Sequence, residues 1–495
     1  MAINYCSTRD ASEKKSASQA ILQGLSKDGG LFVPEQLPAI QLDFHALAEQ
    51  SYQEVALKIL SAFLTDFSET ELKDCIDAAY GSQFEDPRIA PVSEHDGKYF
   101  LELFHGPTIA FKDLALQILP HLMRTAAKKN HFDKEIVILT ATSGDTGKAA
   151  LEGFKNVAGT QIIVFYPQGG VSPIQEKQMV TTEGDNTYVV AVDGNFDDAQ
   201  TQVKKLLNDP EMREKMAKNG KQFSSANSIN IGRLVPQVVY YVYAYAQLVK
   251  QGTLAVGETL DVSVPTGNFG NILAAYYAKK IGVPLGRLIC ASNQNKVLTD
   301  FFATGIYDVD RPFYLTTSPS MDILVSSNLE RLVYYLTAEN PEETAEFMAQ
   351  LARDGEYTIT EAMKENWKDF YGAYADERET AEAIHATYQN AHYVIDPHTA
   401  VAVHAADEYR LQETQALPLL VVSTASAYKF PQVVYQSLFG DAPANDFAAA
   451  DKLSQKTDTK IPKAVSLLID APIRHKETST IALMGQTVEK LLHLS

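Results

Sequence analysis

From about residue 96 onward, short β-rich runs alternate with helical stretches, and that alternation limits the fold more than any other feature. The runs are Lys98-Tyr-Phe-Leu-Glu-Leu103, Glu135-Ile-Val-Ile-Leu-Thr140, Gln161-Ile-Ile-Val-Phe-Tyr166, Thr187-Tyr-Val-Val-Ala-Val192, Asp261–Val264, Arg287–Ala291 and Leu417-Pro-Leu-Leu-Val-Val422. Between them lie helical patterns over Thr146–Phe154, Ser172–Val180 (opened by Pro173), Asp197–Leu207, about 232–250 and about 271–281. Strands joined through helices pair in parallel, and a parallel sheet is covered by helices on both faces. The pattern predicts an α/β fold. Pro418 is compatible with a buried strand because it falls at the strand's start.

Residues 1–95 read differently, as a separate, mainly helical unit. Leu42–Leu64 and Glu71–Tyr80 carry apolar residues at helical spacing, and Pro87 and Pro91 mark a boundary. A chain of 495 residues exceeds one ordinary core, so about two to four domains are expected. After residue 330 the pattern turns mostly helical, and Ala442–Ala450 reads as loop and helix end. Leu234–Val249, the most apolar stretch, is too short for a membrane span and contains Pro236 and Gln237, so it reads as a buried helix.

Composition removes several function classes. The net charge is -19, from 62 acids against 43 bases. With no cluster of Lys and Arg, nucleic acid and anionic membranes are disfavoured as partners. Cys6, Cys75 and Cys290 are far apart and odd in number, which fits a reducing compartment. With no signal-peptide pattern at the amino terminus, a cytoplasmic protein is expected. His392, His398 and His404 are six apart and share no helical face, so they read as ordinary polar histidines and no metal is expected.

Five segments carry chemistry. In His105-Gly-Pro-Thr-Ile-Ala-Phe-Lys112-Asp113-Leu-Ala-Leu-Gln117, a Gly-Pro break forces a turn before an apolar helix, with His105 placed to orient the loop. Burial there disfavours the ammonium of Lys112 and leaves an amine able to condense with an aldehyde. For one lysine taken alone, snorkelling from a core helix is the plainer reading. Pro265-Thr-Gly267-Asn268-Phe269-Gly270-Asn271 follows a strand and opens a helix, a setting for anion binding by backbone amides. It is neither G-x-G-x-x-G nor a Walker sequence, and a tight turn without ligand explains it equally well. Thr142-Ser143-Gly144-Asp145-Thr146 lies at a second strand end and can grip a carboxylate. Ser225-Ala-Asn227-Ser228-Ile-Asn-Ile-Gly-Arg233 gathers donors and a guanidinium suited to a phosphate ester, or else a helix cap and a surface arginine. Ser423 and Thr424 end the last buried strand.

The lysine segment resembles the cofactor-lysine motif of threonine synthases, H-G-P-T-x-A-F-K-D with Gln four residues on, at every fixed position. Tyr5-Cys-Ser-Thr-Arg9 and Gly24-Leu-Ser-Lys-Asp-Gly-Gly-Leu-Phe-Val-Pro34 are similar to that family's amino-terminal signature. The resemblance covers nearly the whole chain and points to the longer subgroup with an added amino-terminal domain. It implies pyridoxal phosphate held by Lys112 in a fold type II pyridoxal enzyme. The large unit would be 96–134 with 232–495, the small unit 135–231, and the amino-terminal domain 1–95. It also implies that Gly267, Asn268, Phe269, Gly270 and Asn271 hold the cofactor phosphate, and that Thr424, ahead of Ser423, meets the pyridine nitrogen. Thr142, Ser143, Asp145 and Thr146 would meet the substrate, and Ser225, Asn227, Ser228 and Arg233 its phosphate. Many related enzymes carry Asn at the position of Asp145. A carboxylate beside the cofactor phenolate must be protonated, paired with the imine or turned away. Relatives often carry His-Pro-Ala where this chain has Ser426-Ala427-Tyr428. The implied reaction converts O-phospho-L-homoserine and water to L-threonine and phosphate, in a monomer or homodimer. A phospholyase or dehydratase releasing a 2-oxo acid would use the same lysine. A non-catalytic pyridoxal-binding scaffold is a third reading, against which the retained lysine and anion loops weigh.

Overall fold

The computed structural model describes residues 2–142, 144–413 and 417–494. Two parallel sheets organise the chain. The larger has the order Phe370–Tyr374, Leu285–Ser292, Leu260–Pro265, Leu419–Ser423, Lys98–Glu102, Val92–His95, and only the last pair is antiparallel. The smaller has the order Glu477–Thr480, Thr187–Asp193, Thr160–Pro167, Glu135–Ala141, Lys221–Ser224, all parallel. The expected α/β class is what forms, because the central strands are apolar throughout: every residue of Leu260–Pro265 and Leu419–Ser423 is buried.

The tail departs from the expected boundaries. The resemblance places residues 232–495 in the large unit, but Glu477–Thr480 pairs with Thr187–Asp193 and extends the small sheet. Without it, Thr187–Asp193 would be an open edge, and an open edge invites further pairing. Met484 and Val488, on the helix that follows, pack into the small sheet's core with Val190 and Val192.

The amino-terminal region is helical as expected, with one break. Leu42–Leu64 forms two helices, Phe44–Leu47 and Tyr52–Phe63, because Ser51 starts a new one. The Ser51 hydroxyl accepts from the Glu54 amide and the Glu54 carboxylate accepts from the Ser51 amide, a reciprocal cap that favours a fresh start. This region shares one continuous core with the helix Ile231–Lys250. Phe44 meets Tyr245 at 4.5 Å between ring centres, and Tyr52 meets Tyr243 at 5.3 Å. From Ile231 through Leu248 that helix is buried on all sides, and Pro236 lies inside it. Among the described residues no helix is long and apolar enough to cross a membrane.

Each of the five segments singled out in the sequence follows the carboxyl end of a parallel strand. Lys98–Glu102 leads to Lys112, Glu135–Ala141 to Asp145, Lys221–Ser224 to Ser225, Leu260–Pro265 to Gly267, and Leu419–Ser423 to Thr424. Ligands of open parallel sheets bind at that end.

Candidate active site

Lys112 sits at the start of a short helix, with 12% of its side chain exposed. The loop before it is stapled by Asp113, whose carboxylate accepts from the Thr108 amide at 2.8 Å and the Thr108 hydroxyl at 2.7 Å. Burial pushes the Asp113 carboxyl up to about 6. Ile109 is forced to φ +52°, a conformation that a β-branched residue adopts only under constraint. The loop is zipped to the end of the last strand: the Phe111 amide donates to the Thr424 carbonyl, and the Ser426 amide to the Ile109 carbonyl. His105 bonds Glu102 at 2.8 Å, so it secures the loop's beginning and not the amine. Burial pulls Lys112 down to about 8, with Asp145 acting in the opposite direction.

The Gly267–Asn271 loop fits a phosphate. The backbone amides of Gly267, Asn268, Phe269, Gly270 and Asn271 have no hydrogen-bond partner among the described residues, although Phe269 and Asn271 are buried. Phe269 adopts φ +64°, which turns the chain into the helix Gly270–Lys280, while its ring packs on Phe302 and Phe370. A methyl on Gly267 would stand 2.5 Å from the Ser320 carbonyl, so only glycine fits. The side chain of Asn271 donates to the Pro265 carbonyl and accepts from the Ile272 amide, and its backbone amide is open to a ligand. At the end of the last strand, the Ser423 hydroxyl is engaged with Thr399 at 3.0 Å. The Thr424 side chain makes no hydrogen bond among the described residues, so of the two it is the one left to meet a ligand. A buried lysine whose ammonium burial disfavours, a row of open amides and one open hydroxyl together match what a phosphorylated pyridine aldehyde needs.

The second loop is held from within. Thr142 Oγ1 accepts from the amides of Gly144 and Gly147, and its O–H remains available. Gly144 has φ +137°, and a Cβ there would strike Gln175 at 2.5 Å. Ser143 lies outside the described residues. Thr146 is half-buried in the first turn of the helix Asp145–Phe154.

Asp145 is paired and ionised. Burial alone would raise its carboxyl, but Lys429 at 3.2 Å, Lys112 at 3.8 Å and a hydrogen bond from Gln175 at 2.8 Å outweigh it. The result lies well below the usual carboxylate range. Lys429, wholly buried and also bonded to the Thr108 carbonyl at 2.8 Å, was missed in the sequence. So were Ser320 and His398. His398, taken for an ordinary polar histidine, is buried, bonds Asp396 at 2.7 Å and accepts from the Ser320 amide at 3.2 Å.

The fourth segment forms a self-bonded turn. Ser225 Oγ accepts from the Asn227 amide, and Asn227 Oδ1 accepts from the Ser228 amide and hydroxyl. Asn230 caps the long helix and donates to the Ser225 and Ile21 carbonyls. Arg233 is 4% exposed and donates to the Ala226 carbonyl at 3.1 Å, and among the described residues its buried Nε has no partner. Burial drops the guanidinium to about 10, and it lies near enough to lower Lys112. A buried cation with a free donor calls for an anion.

This fold and site define a pyridoxal-phosphate dependent enzyme, and the family so described matches residues 87–424. Families described as threonine synthase N terminus and threonine synthase, C-terminal match residues 4–80 and 399–480. A threonine synthase of Schizosaccharomyces pombe is 37% identical over 469 residues, covering 88% of this chain and 89% of its own. The structure of pyridoxal phosphate-bound threonine synthase from Brucella melitensis superposes with a TM-score of 0.88 at 33% identity, over 100% of this chain and 99% of that one. The threonine synthase-like 1 protein of Macaca fascicularis is 42% identical over 446 residues, which is 87% of this chain but only 59% of the relative's length. The chain belongs to the threonine synthase family.

Proposed function

We propose that this chain converts O-phospho-L-homoserine and water to L-threonine and phosphate, as a cytoplasmic enzyme acting as a monomer or homodimer. The observation that carries the reading is one buried lysine flanked by two separate anion sites, the open amides of 267–271 and the unpaired Nε of Arg233. One phosphate belongs to the cofactor and the other to the substrate. The three free, buried cysteines support a reducing compartment.

Pyridoxal phosphate supplies an electron sink conjugated to the substrate's α-carbon. Gly267–Asn271 would hold its phosphate, Lys112 its aldehyde carbon, and Thr424 its ring nitrogen. With substrate bound, the free Lys112 amine would take the α-proton and then a β-proton as the phosphate leaves the γ-carbon, and would return one proton to the γ-carbon and one to the α-carbon. Arg233, with Ser225, Asn227 and Ser228, neutralises the phosphate that leaves the γ-carbon. The hydroxyls of Thr142, Ser143 and Thr146 would orient the substrate carboxylate. Water adds at the β-carbon. A neutral hydroxyl at Thr424 does not hold the ring nitrogen protonated as a carboxylate would, which tempers the sink.

Product analysis with phosphohomoserine tests the assignment. Equimolar threonine and phosphate support it. A 2-oxo acid with phosphate would make the protein a phospholyase, and bound cofactor without turnover a scaffold.

A further inference from the structure

Asp145 is where side chains from both sheets meet. Its Oδ1 is taken by Lys429 and Gln175, and its Oδ2 by the Ser320 hydroxyl at 3.1 Å. The same Ser320 oxygen lies 3.1 Å from Lys112 Nζ. A hydroxyl has one proton, and an ionised carboxylate can only accept. The Ser320 proton is therefore committed to Asp145, and the lone pair left on Oγ faces the amine. Ser320 cannot shift to relax this. Its amide donates to His398 Nε2, so His398 carries its proton on Nδ1 and gives it to Asp396. The Ser320 carbonyl fills the space over Gly267.

We propose that Asp145 and Ser320 aim the amine of Lys112: the carboxylate, fixed by Lys429 and Gln175, sets the direction of the Ser320 hydroxyl, whose oxygen accepts one N–H of the amine and leaves the rest of the nitrogen facing the substrate. The proposal rests on Lys112 being the base. Ser320 touches the reacting nitrogen, whereas Asp145 is a positioning residue and not a contact of the substrate carboxylate. A proton relay onto Asp145 is not what the geometry does. That carboxylate is held well below its usual range, while the ammonium of Lys112 gives up its proton at about 8, so the proton stays on nitrogen. The other charges facing Lys112 are Lys429 and Arg233, both cations that favour the neutral amine, and His398 faces Asp145.

The test is the pH dependence of acylation of Lys112 by a limiting amine reagent. It is read by mass spectrometry on the full chain freed of cofactor, beside kcat and KM of the cofactor-loaded enzyme. In the unaltered protein the labelling midpoint is expected at about 8. Asp145→Asn leaves only the cations and moves it down by about one to three pH units. Ser320→Ala removes the acceptor, lowers the midpoint by about one unit and lowers kcat about tenfold at little cost in KM. Ser320→Thr restores both. A Ser320→Ala midpoint equal to that of the unaltered protein, or a loss that threonine does not restore, would show that Asp145 acts by charge alone and overturn the proposal. If Asp145→Asn does not fold, the two Ser320 variants decide. Failure of the underlying lysine assignment would show separately, as borohydride fixing the cofactor on another lysine.

Discussion

Arg233 offers a prediction in which stability and affinity move in opposite directions. Burial takes its guanidinium down to about 10. At about 1.4 kcal/mol per pH unit, carrying that charge inside the ligand-free protein costs about 3 kcal/mol. Only the protonated form is disfavoured, so the penalty applies at every pH below about 10 and fades above it. The bond to Ala226 offsets part of it, and Nε offsets none. A phosphate ester would remove the deficit with charge-assisted bonds of about 1.5–3 kcal/mol. Arg233→Met keeps the stem and removes the charge. The cofactor-loaded variant should therefore melt no lower than the unaltered protein in the absence of substrate, and KM for phosphohomoserine should rise roughly ten- to hundredfold. Cofactor affinity should hold. Thermal melts with and without substrate, beside steady-state kinetics, measure both effects. A variant that melts several degrees lower with an unchanged KM would refute the reasoning and make Arg233 a structural cap.

Further outcomes follow from single contacts. Lys112→Ala should fold but lose the near-visible absorption band that appears when pyridoxal phosphate is added, and borohydride should fix no cofactor on it. Gly267→Ala sets a methyl 2.5 Å from the Ser320 carbonyl. Displacing that turn should cost about 1–3 kcal/mol and weaken cofactor binding roughly ten- to hundredfold, read by fluorescence titration. Thr424→Val should weaken cofactor binding only about two- to tenfold, the worth of one neutral hydrogen bond, and unchanged binding would remove Thr424 from the ring nitrogen. Ser51→Ala should cost about 1 kcal/mol in denaturant unfolding without touching activity, because it removes one helix cap.

What the sequence showed depended on where each element lies. Central strands such as Ile162–Tyr166 and Leu419–Val422 are covered on both faces and read as apolar runs. The edge strands Lys221–Ser224, Phe370–Tyr374 and Glu477–Thr480 were invisible, because an edge is short and half solvated, and Glu477-Thr-Ser-Thr480 is polar throughout. The site divides in the same way. Lys112, Gly267–Asn271 and Arg233 sit in local patterns whose turn residues announce them. Ser320 is 208 positions from the amine it touches, and Lys429 is 321 from the carbonyl it bonds. No local pattern carries such pairs. Lys429 had one available sign, a charge six residues beyond the last buried strand in an otherwise apolar stretch. Asp145 is ionised and paired with Lys429, a partner outside the three options its sequence position suggested.

The strand Glu477–Thr480 has a consequence for synthesis of the chain. A ribosome delivers residues in order, so the Thr187–Asp193 edge emerges long before the segment that covers it. Through the making of nearly three hundred further residues the small sheet stands with one flank open, able to recruit a stray strand from a neighbouring nascent chain. Closure comes only when Glu477–Thr480 has paired and Met484 and Val488 reach their places beside Val190 and Val192. Chains lacking residues 477–491 would keep Lys112, Gly267–Asn271 and Arg233 yet remain adhesive, so damage to that segment should surface as aggregation before it surfaces as lost chemistry.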